Sequence, residues 1–338
     1  MSESSFLYSI VLPVRNGGEY IKECVLSILD QSLCDFNLHI LDNCSRDGTV
    51  EWLKSLQDRR ILIHSSVVDL SMEENWGRIV SIPKNKFLTI IGHDDILDKA
   101  YLEVMDSLIK KYPQASLYQS HFRYINSSGK IIRRCKPMSE KQSVDEFLGD
   151  ILTDKIDTMG TGYMMRSSDY DKIGGIQPYP NLLFADHELW LRLTAITYKA
   201  TAMKECFSFR IHQSVSKMSD VSKYSQAFFT FLKYLITIKN ENPAVGIVIE
   251  KYIIDYISYY CQSLSHRLLK TPLKKRQGMT IVSFVQQCSQ YADILYPGNR
   301  FNPYEKFNMR LTKWIDNEPF LKKAYLLFRK VYKKSIYK

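Results

Sequence analysis

The chain has 338 residues, 45% apolar and 24% charged, with 14 Gly and 11 Pro, which excludes a disordered or fibrous protein and predicts an ordinary buried core in one or two domains. No run of about 18 apolar residues occurs, and Met1 to Phe6 lacks the basic and apolar regions of a signal peptide, so a cytoplasmic chain without a spanning helix is expected. The net charge of +10 is uneven: residues 221–338 hold 20 Lys+Arg against 7 Asp+Glu and the first 220 hold 26 against 29, a balance that suits an anionic membrane surface or acidic ligand and not a uniformly basic nucleic-acid binder.

In chain order, Tyr8 to Leu12 reads as a strand closed by Pro13, and Gly18 to Leu29 has helical spacing. Leu38 to Leu41 is a second strand, followed by a polar turn over Asp42 to Gly48 and a helix from Thr49 to Leu56. Ile61 to Ile63 and Phe87 to Ile91 complete the opening series, the last strand ending at Gly92-His93-Asp94-Asp95. Alternating strands and helices with short connections predict right-handed crossovers, a mostly parallel central sheet and an α/β architecture. Ligands of such sheets lie outside the carboxyl ends of the strands, where the clusters Pro13 to Asn16, Asp42 to Asp47 and His93 to Asp95 fall.

Beyond residue 115 the pattern is mixed. Leu117 to Ile125 and Ile131 to Cys135 flank Asn126-Ser127-Ser128-Gly129 as a hairpin, Ala185 to Ile196 is helical, and Thr201 to Ile211 is extended. From about Ser222 the signal is helical, with Ile249, Tyr252/Ile253, Tyr256/Ile257, Tyr260 and Leu264 on one stripe. The seven cysteines form no C-x-x-C pair and read as reduced, mostly buried thiols.

Two carboxylates at one strand end, Asp94 and Asp95, repel each other unless a cation or donors lie between them. Mg²⁺ is commonly held by one or two carboxylates together with substrate phosphates; the plain alternative is that one Asp caps the helix near Asp98 and the other is solvated. Asp47 or Thr49 could cap the second helix, while Asp42, at the strand end, could accept hydrogen bonds from a base or ribose.

The ordered set Val11-Leu12-Pro13-Val14-Arg15-Asn16, Leu41 to Thr49, Asn75-Trp76-Gly77-Arg78, His93 to Leu97, Gly160-Thr161-Gly162, Gly174-Gly175, Ala185 to Leu193 and Arg210 to Ser216 closely resembles the family 2 glycosyltransferases of GT-A fold, over about residues 6 to 218. The resemblance implies a Rossmann-like nucleotide-sugar domain, 1–220, followed by a basic helical region, 221–338, for membrane association or oligomerisation. It implies that Pro13, Arg15, Asn16, Asp42, Asn43, Asp47, Trp76 and Arg78 line the donor site, with Asp42 reading the base. Asp94 would be the principal ligand of Mn²⁺ or Mg²⁺, with Asp95 or His212 completing the shell and His212 closing over the diphosphate. Asp186 would be the general base.

Two departures stand out: Gly92 occupies the place of the usual first acid of the metal motif, and Ala185 replaces the first acid of the acceptor motif. Asp186 is preferred over Glu188, which points to another helix face. The implied reaction is inverting transfer of a hexose or N-acetylhexosamine from a nucleotide sugar, a UDP-sugar in many relatives, to a saccharide acceptor, lipid-linked through a polyprenyl diphosphate if the chain meets a membrane.

Several residues carry blander readings. His39, His64, His121 and His266 lack a partner motif, Trp190 reads as core before sugar platform, and Gly174-Gly175 reads as a turn. Lys322 to Lys338 holds seven basic and no acidic residues among aromatic and apolar ones, which suits either a membrane interface or a solvated helix packed on the domain; the Tyr/Phe-rich stretch from Tyr224 to Tyr260 could build a homo-oligomer interface. The rival readings are a nucleotidyltransferase, for which Pro13 to Gly18 is a poor phosphate loop, and a non-catalytic basic adaptor for membrane or nucleic acid.

Overall fold

The computed structural model describes residues 6–211 and 220–331, and the chain divides into two compact units, Met1–Lys217 and Met218–Lys338. In the first, β1 (Tyr8–Val14) is buried throughout and runs parallel to β2 (Phe36–Asp42) on one side and β4 (Phe87–Ile90) on the other. The short edge strand β3 (Ile61–Ile63) is parallel to β2. Helix α1 (Tyr20–Leu29) buries Ile21, Cys24, Val25 and Ile28, the stripe its spacing predicts; α2 (Thr49–Ser55) and the capped α3 (Met72–Gly77) fill the other connections.

The predicted parallel sheet holds for β3-β2-β1-β4, after which the sheet becomes mixed. β9 (Tyr163–Arg166) inserts antiparallel between β4 and β6 (Leu117–Ile125). β6 in turn runs parallel to the long β10 (Lys199–Arg210), whose far side takes β5 (Ile96–Leu97) antiparallel. The predicted hairpin forms between β6 and β7 (Ile131–Arg134), and β8 (Lys141–Gln142) pairs with β10. A chain-local reading misses the antiparallel half because β9 and β5 are four and two residues long and owe their pairing to distant partners.

Pro13 opens the cleft. The β1·β4 ladder ends where the Ile91 N–H donates to the Val11 carbonyl at 3.0 Å, and the next rung on that side would need an N–H at residue 13, which proline lacks. Beyond that rung Gly92 to Asp95 forms a turn, with the Asp95 N–H bonded to the Gly92 carbonyl at 3.2 Å. The remaining helices of this unit are α4 (Tyr101–Lys111), α5 (Val144–Leu152), α6 (Ser167–Lys172) and α7 (Ala185–Ile196).

The second unit is helical: α8 (Val221–Glu241), α9 (Pro243–Leu269), α10 (Ile281–Leu295), α11 (Phe307–Asn317) and α12 (Pro319–Val331). Ile249, Ile253, Tyr256, Ile257 and Leu264 are buried as the apolar stripe predicts, and Phe228 stacks on Tyr260 with ring centres 5.0 Å apart. Arg276, Asp316 and Lys322 form an internal ion cluster, with Arg276 2.9 Å and Lys322 2.5 Å from Asp316 Oδ1 and all three side chains at most 4% exposed. Lys322, read from sequence as the start of a basic surface helix, is thus an anchor of α12. No helix among the described residues is long and apolar enough to cross a membrane.

Candidate active site

The strand-end loops after β1 and β2, where the sequence puts the expected donor residues, are laced together. The Asn16 N–H donates to Ser45 Oγ at 2.8 Å and the Arg46 N–H to Asn16 Oδ1 at 2.8 Å. Asp47 accepts from the Gly18 N–H at 2.9 Å and from the Thr49 hydroxyl at 2.6 Å. Desolvation pushes the Asp47 carboxyl up, but the Thr49 and Gly18 donors outweigh it and hold it below its ordinary range. Asp47 therefore fastens the first loop to the start of α2, where Gly48 takes the left-handed conformation at φ 85°.

Asp42 is buried, its Oδ1 3.3 Å from the Ser45 N–H, while its carbonyl accepts from Arg78 Nη1 at 3.1 Å. Arg78 also reaches Asn75 Oδ1 at 2.9 Å and the His64 carbonyl at 2.6 Å. Asn43 exchanges two side-chain hydrogen bonds with the Leu70 backbone, at 2.8 and 2.9 Å. Arg78 and Asn43, expected to line the donor site, also brace these loops through their hydrogen bonds to neighbouring carbonyls and amides. Trp76 is half-buried on α3, and Arg15 makes a two-pronged, half-exposed ion pair with Asp69 at 2.5 and 2.6 Å.

The acidic turn after β4 separates its two aspartates by environment. Asp95 is buried, accepting from the Thr161 hydroxyl at 2.7 Å on Oδ2 and from the Arg210 N–H at 3.0 Å on Oδ1. Burial, and then the charge of Asp94, push its carboxyl well above the ordinary range against those two donors. Asp94 is partly exposed. A Cβ at Gly92 would lie 2.9 Å from Asp94 Oδ1 and 3.0 Å from Asp95 Oδ2, so the missing first acid leaves room that the other two carboxylates occupy.

Among the described residues no group of three or more His, Cys, Asp or Glu side chains is placed to hold a metal, and His212 lies outside them. Asp95, read as a possible ligand, has both oxygens engaged internally. Among the described residues Asp94 is then the carboxylate left partly open, which fits a cation carried mainly by a diphosphate, since Mg²⁺ needs only one or two protein carboxylates when substrate phosphates supply the rest.

Around the expected general base, α7 opens at Phe184, whose φ of 62° turns the chain sharply into Ala185 and Asp186. Asp186 Oδ2 lies 3.9 Å from where a Cβ on Gly160 would stand, and the next residue, Thr161, holds Asp95. Through that short path Asp186 and Asp95 are separated by no more than about 15 Å. Glu188 is occupied: Tyr179 donates to it at 2.5 Å and Arg192 sits 3.8 Å away, and burial raises its carboxyl. Trp190 is core, fully buried, stacked on Tyr163 at 4.2 Å and donating to the Met159 carbonyl at 2.9 Å.

Sequence reading assigned no role to Arg210 and Thr161. The Arg210 side chain is fully buried; its Nε donates to the Asp94 carbonyl at 2.8 Å, its Nη1 to the Ser127 carbonyl at 3.1 Å, its Nη2 pairs with Glu23, and it covers the Tyr20 ring at 4.6 Å. It pins the acidic turn from below. The signal available was an arginine at the end of the short, largely apolar run Cys206-Phe207-Ser208-Phe209, where a buried cation needs partners. Also unforeseen is the pairing of His39 with His64, 2.9 Å between ring nitrogens, which follows from β2 lying beside β3.

Residues 9–174 match the Glycosyl transferase family 2 model. Over 236 residues the chain is 26% identical to an uncharacterised glycosyltransferase of Methanocaldococcus jannaschii, covering 67% of this chain and 78% of that protein. It is 25% identical over 237 residues to a Bacillus subtilis protein assigned to teichuronic acid biosynthesis, the glycosyltransferase TuaG, covering 68% of this chain and 87% of that one. A shorter match, 30% over 117 residues, is to the abequosyltransferase RfbV of Salmonella typhimurium, covering 33% of this chain and 34% of that protein. In fold, the chain resembles S. aureus TarS 1-349 in complex with UDP-GlcNAc, at a TM-score of 0.65 and 13% identity over 95% of this chain and 92% of that one. Motif order, the strand-end cleft and these likenesses agree: the chain belongs to the family 2 glycosyltransferases, with a GT-A fold.

Proposed function

We propose that this protein is an inverting, metal-dependent glycosyltransferase that moves a hexose or N-acetylhexosamine from a UDP-sugar to a saccharide hydroxyl in surface polysaccharide assembly, the acceptor being lipid-linked. The observation that carries the mechanism is the placement of Asp186 beside Gly160, one residue from the Thr161 that holds the acidic turn. A carboxylate there can take the proton of an attacking acceptor hydroxyl, a group too weakly acidic to ionise near neutrality, while the leaving diphosphate lies on the Asp94 side. Attack from the face opposite the leaving group inverts the anomeric carbon. Bound to the donor diphosphate and to Asp94, Mn²⁺ or Mg²⁺ would act as a Lewis acid on the charge that develops there.

The protein's own residues supply the rest. Asp42, at the end of β2, would accept hydrogen bonds from the base or ribose. Arg78, Asn43 and Asp47 keep the wall that holds it in place, and Arg210 fixes the backbone of Asp94. The choice of UDP draws on the TarS complex, and the polysaccharide role on the relatives named for teichuronic acid and abequose; both are properties of those proteins. The family membership disfavours the nucleotidyltransferase and adaptor readings.

The test is calorimetry of UDP binding with and without Mn²⁺, paired with a screen of nucleotide sugars for slow hydrolysis. Metal-dependent UDP binding and hydrolysis of one UDP-sugar support the reading. A preference for another nucleoside diphosphate overturns the donor, and UDP binding unchanged by metal removal overturns the cation.

A further inference from the structure

The second unit turns apolar side chains outward on two consecutive helices. On α11, Phe307, Leu311 and Trp314 are 70%, 38% and 57% exposed, at spacings of four and three residues that place them on one face. The opposite side of that helix buries Met309 and Thr312. On α12, Phe320, Leu327 and Phe328 are 81%, 53% and 61% exposed, again at one-face spacing, while Lys322 on the inner side is held by Asp316. Single exposed apolar residues are ordinary on protein surfaces; six large ones in 22 residues of sequence are not.

The charges beside them have one sign. Arg310 and Lys323 are exposed at the margins of the two stripes, whereas Arg329, also exposed, lies on the Lys322 side of α12. Of the two acids in residues 307–331, Asp316 is buried in the ion cluster and only Glu318 is exposed. A second copy presenting the same basic face would repel it, because a twofold contact sets like against like. An anionic lipid surface neutralises Arg310 and Lys323 and offers the aromatic rings an apolar interior beneath the headgroups.

We propose that α11 and α12 together form a docking surface for an anionic lipid bilayer, with the Phe307–Leu311–Trp314 and Phe320–Leu327–Phe328 stripes as the inserting elements. The contribution of α11 is not visible in the basic run at the C-terminus, which contains none of its residues. The surface stands independently of the donor and acceptor assigned above, and its test needs neither.

The full chain is mixed with vesicles of phosphatidylcholine containing phosphatidylglycerol, and with vesicles of phosphatidylcholine alone, and binding is read by co-sedimentation and tryptophan emission. Binding should favour the anionic vesicles, weaken in high salt, and carry a blue shift that Trp314→Phe removes. Arg310→Gln and Lys323→Gln should each lower partitioning about fivefold, more than Arg329→Gln on the far side of α12, and Phe307→Ser with Phe320→Ser should lower it at least about tenfold. These exposed positions leave the fold intact, which circular dichroism checks. Absence of binding, or equal binding to both vesicles, overturns the proposal. So does a dimer in sedimentation equilibrium that the serine variants dissociate, since a second copy would then own the face.

Discussion

The donor wall of the first unit and the basic helices of the second use polar side chains in opposite ways. Around the strand ends, Asn43, Asp47, Arg78, Asp95 and Arg210 turn polar atoms onto neighbouring backbone and side-chain groups, so residues that look like ligand contacts also build the walls. In the second unit a buried cluster, Arg276–Asp316–Lys322, does internal work, while Arg310, Lys323 and Arg329 are exposed. A strand-end cleft must hold a few groups still while a ligand comes and goes, which takes many fixed hydrogen bonds. A helical unit already satisfies its backbone internally, so its side chains are free to serve packing or an outer surface.

The sharpest break of that contrast is at the one acidic side chain assigned a proton. Asp186→Asn should lower the transfer rate constant by about 10² to 10⁴ while UDP affinity and the unfolding midpoint stay put; a variant retaining near wild-type turnover removes Asp186 from the mechanism. In the second unit, Asp316→Ala leaves two buried cations facing each other and should cost about 3 to 5 kcal/mol, read as an earlier denaturant transition followed by Trp314 fluorescence.

Acid offers a finer probe of the first unit. Burial foremost, then the nearby His64 and Lys84, lowers His39 to about 4. Its neutral form is favoured only in the folded chain, so this stability is complete above the unfolded value near 6.5 and is lost as pH falls from there towards 4, by roughly 3 kcal/mol at most. His39→Leu should flatten that stretch of the stability profile. The smallest effect belongs to the half-exposed Arg15–Asp69 pair: Arg15→Ala should change stability by less than about 1 kcal/mol, and any larger fall in UDP affinity would assign Arg15 to the donor.

The sequence alone determined the α/β class, the parallel opening of the sheet, the strand-end positions of Asp42, Asp94 and Asp95, and the buried stripe of α9, because strand and helix periodicities are written locally and strand ends follow from where apolar runs stop. It also determined the uneven charge. Tertiary structure decided which way those groups face: that Asp95 turns inward to Thr161 while Asp94 stays partly open, that Arg78 bonds the Asp42 and His64 carbonyls, that Lys322 is internal, and that β9 makes the sheet mixed. Direction depends on partners 60 to 120 residues away in the chain, as with Asp95, Thr161 and Arg210, and no local pattern encodes which of two adjacent carboxylates will find them.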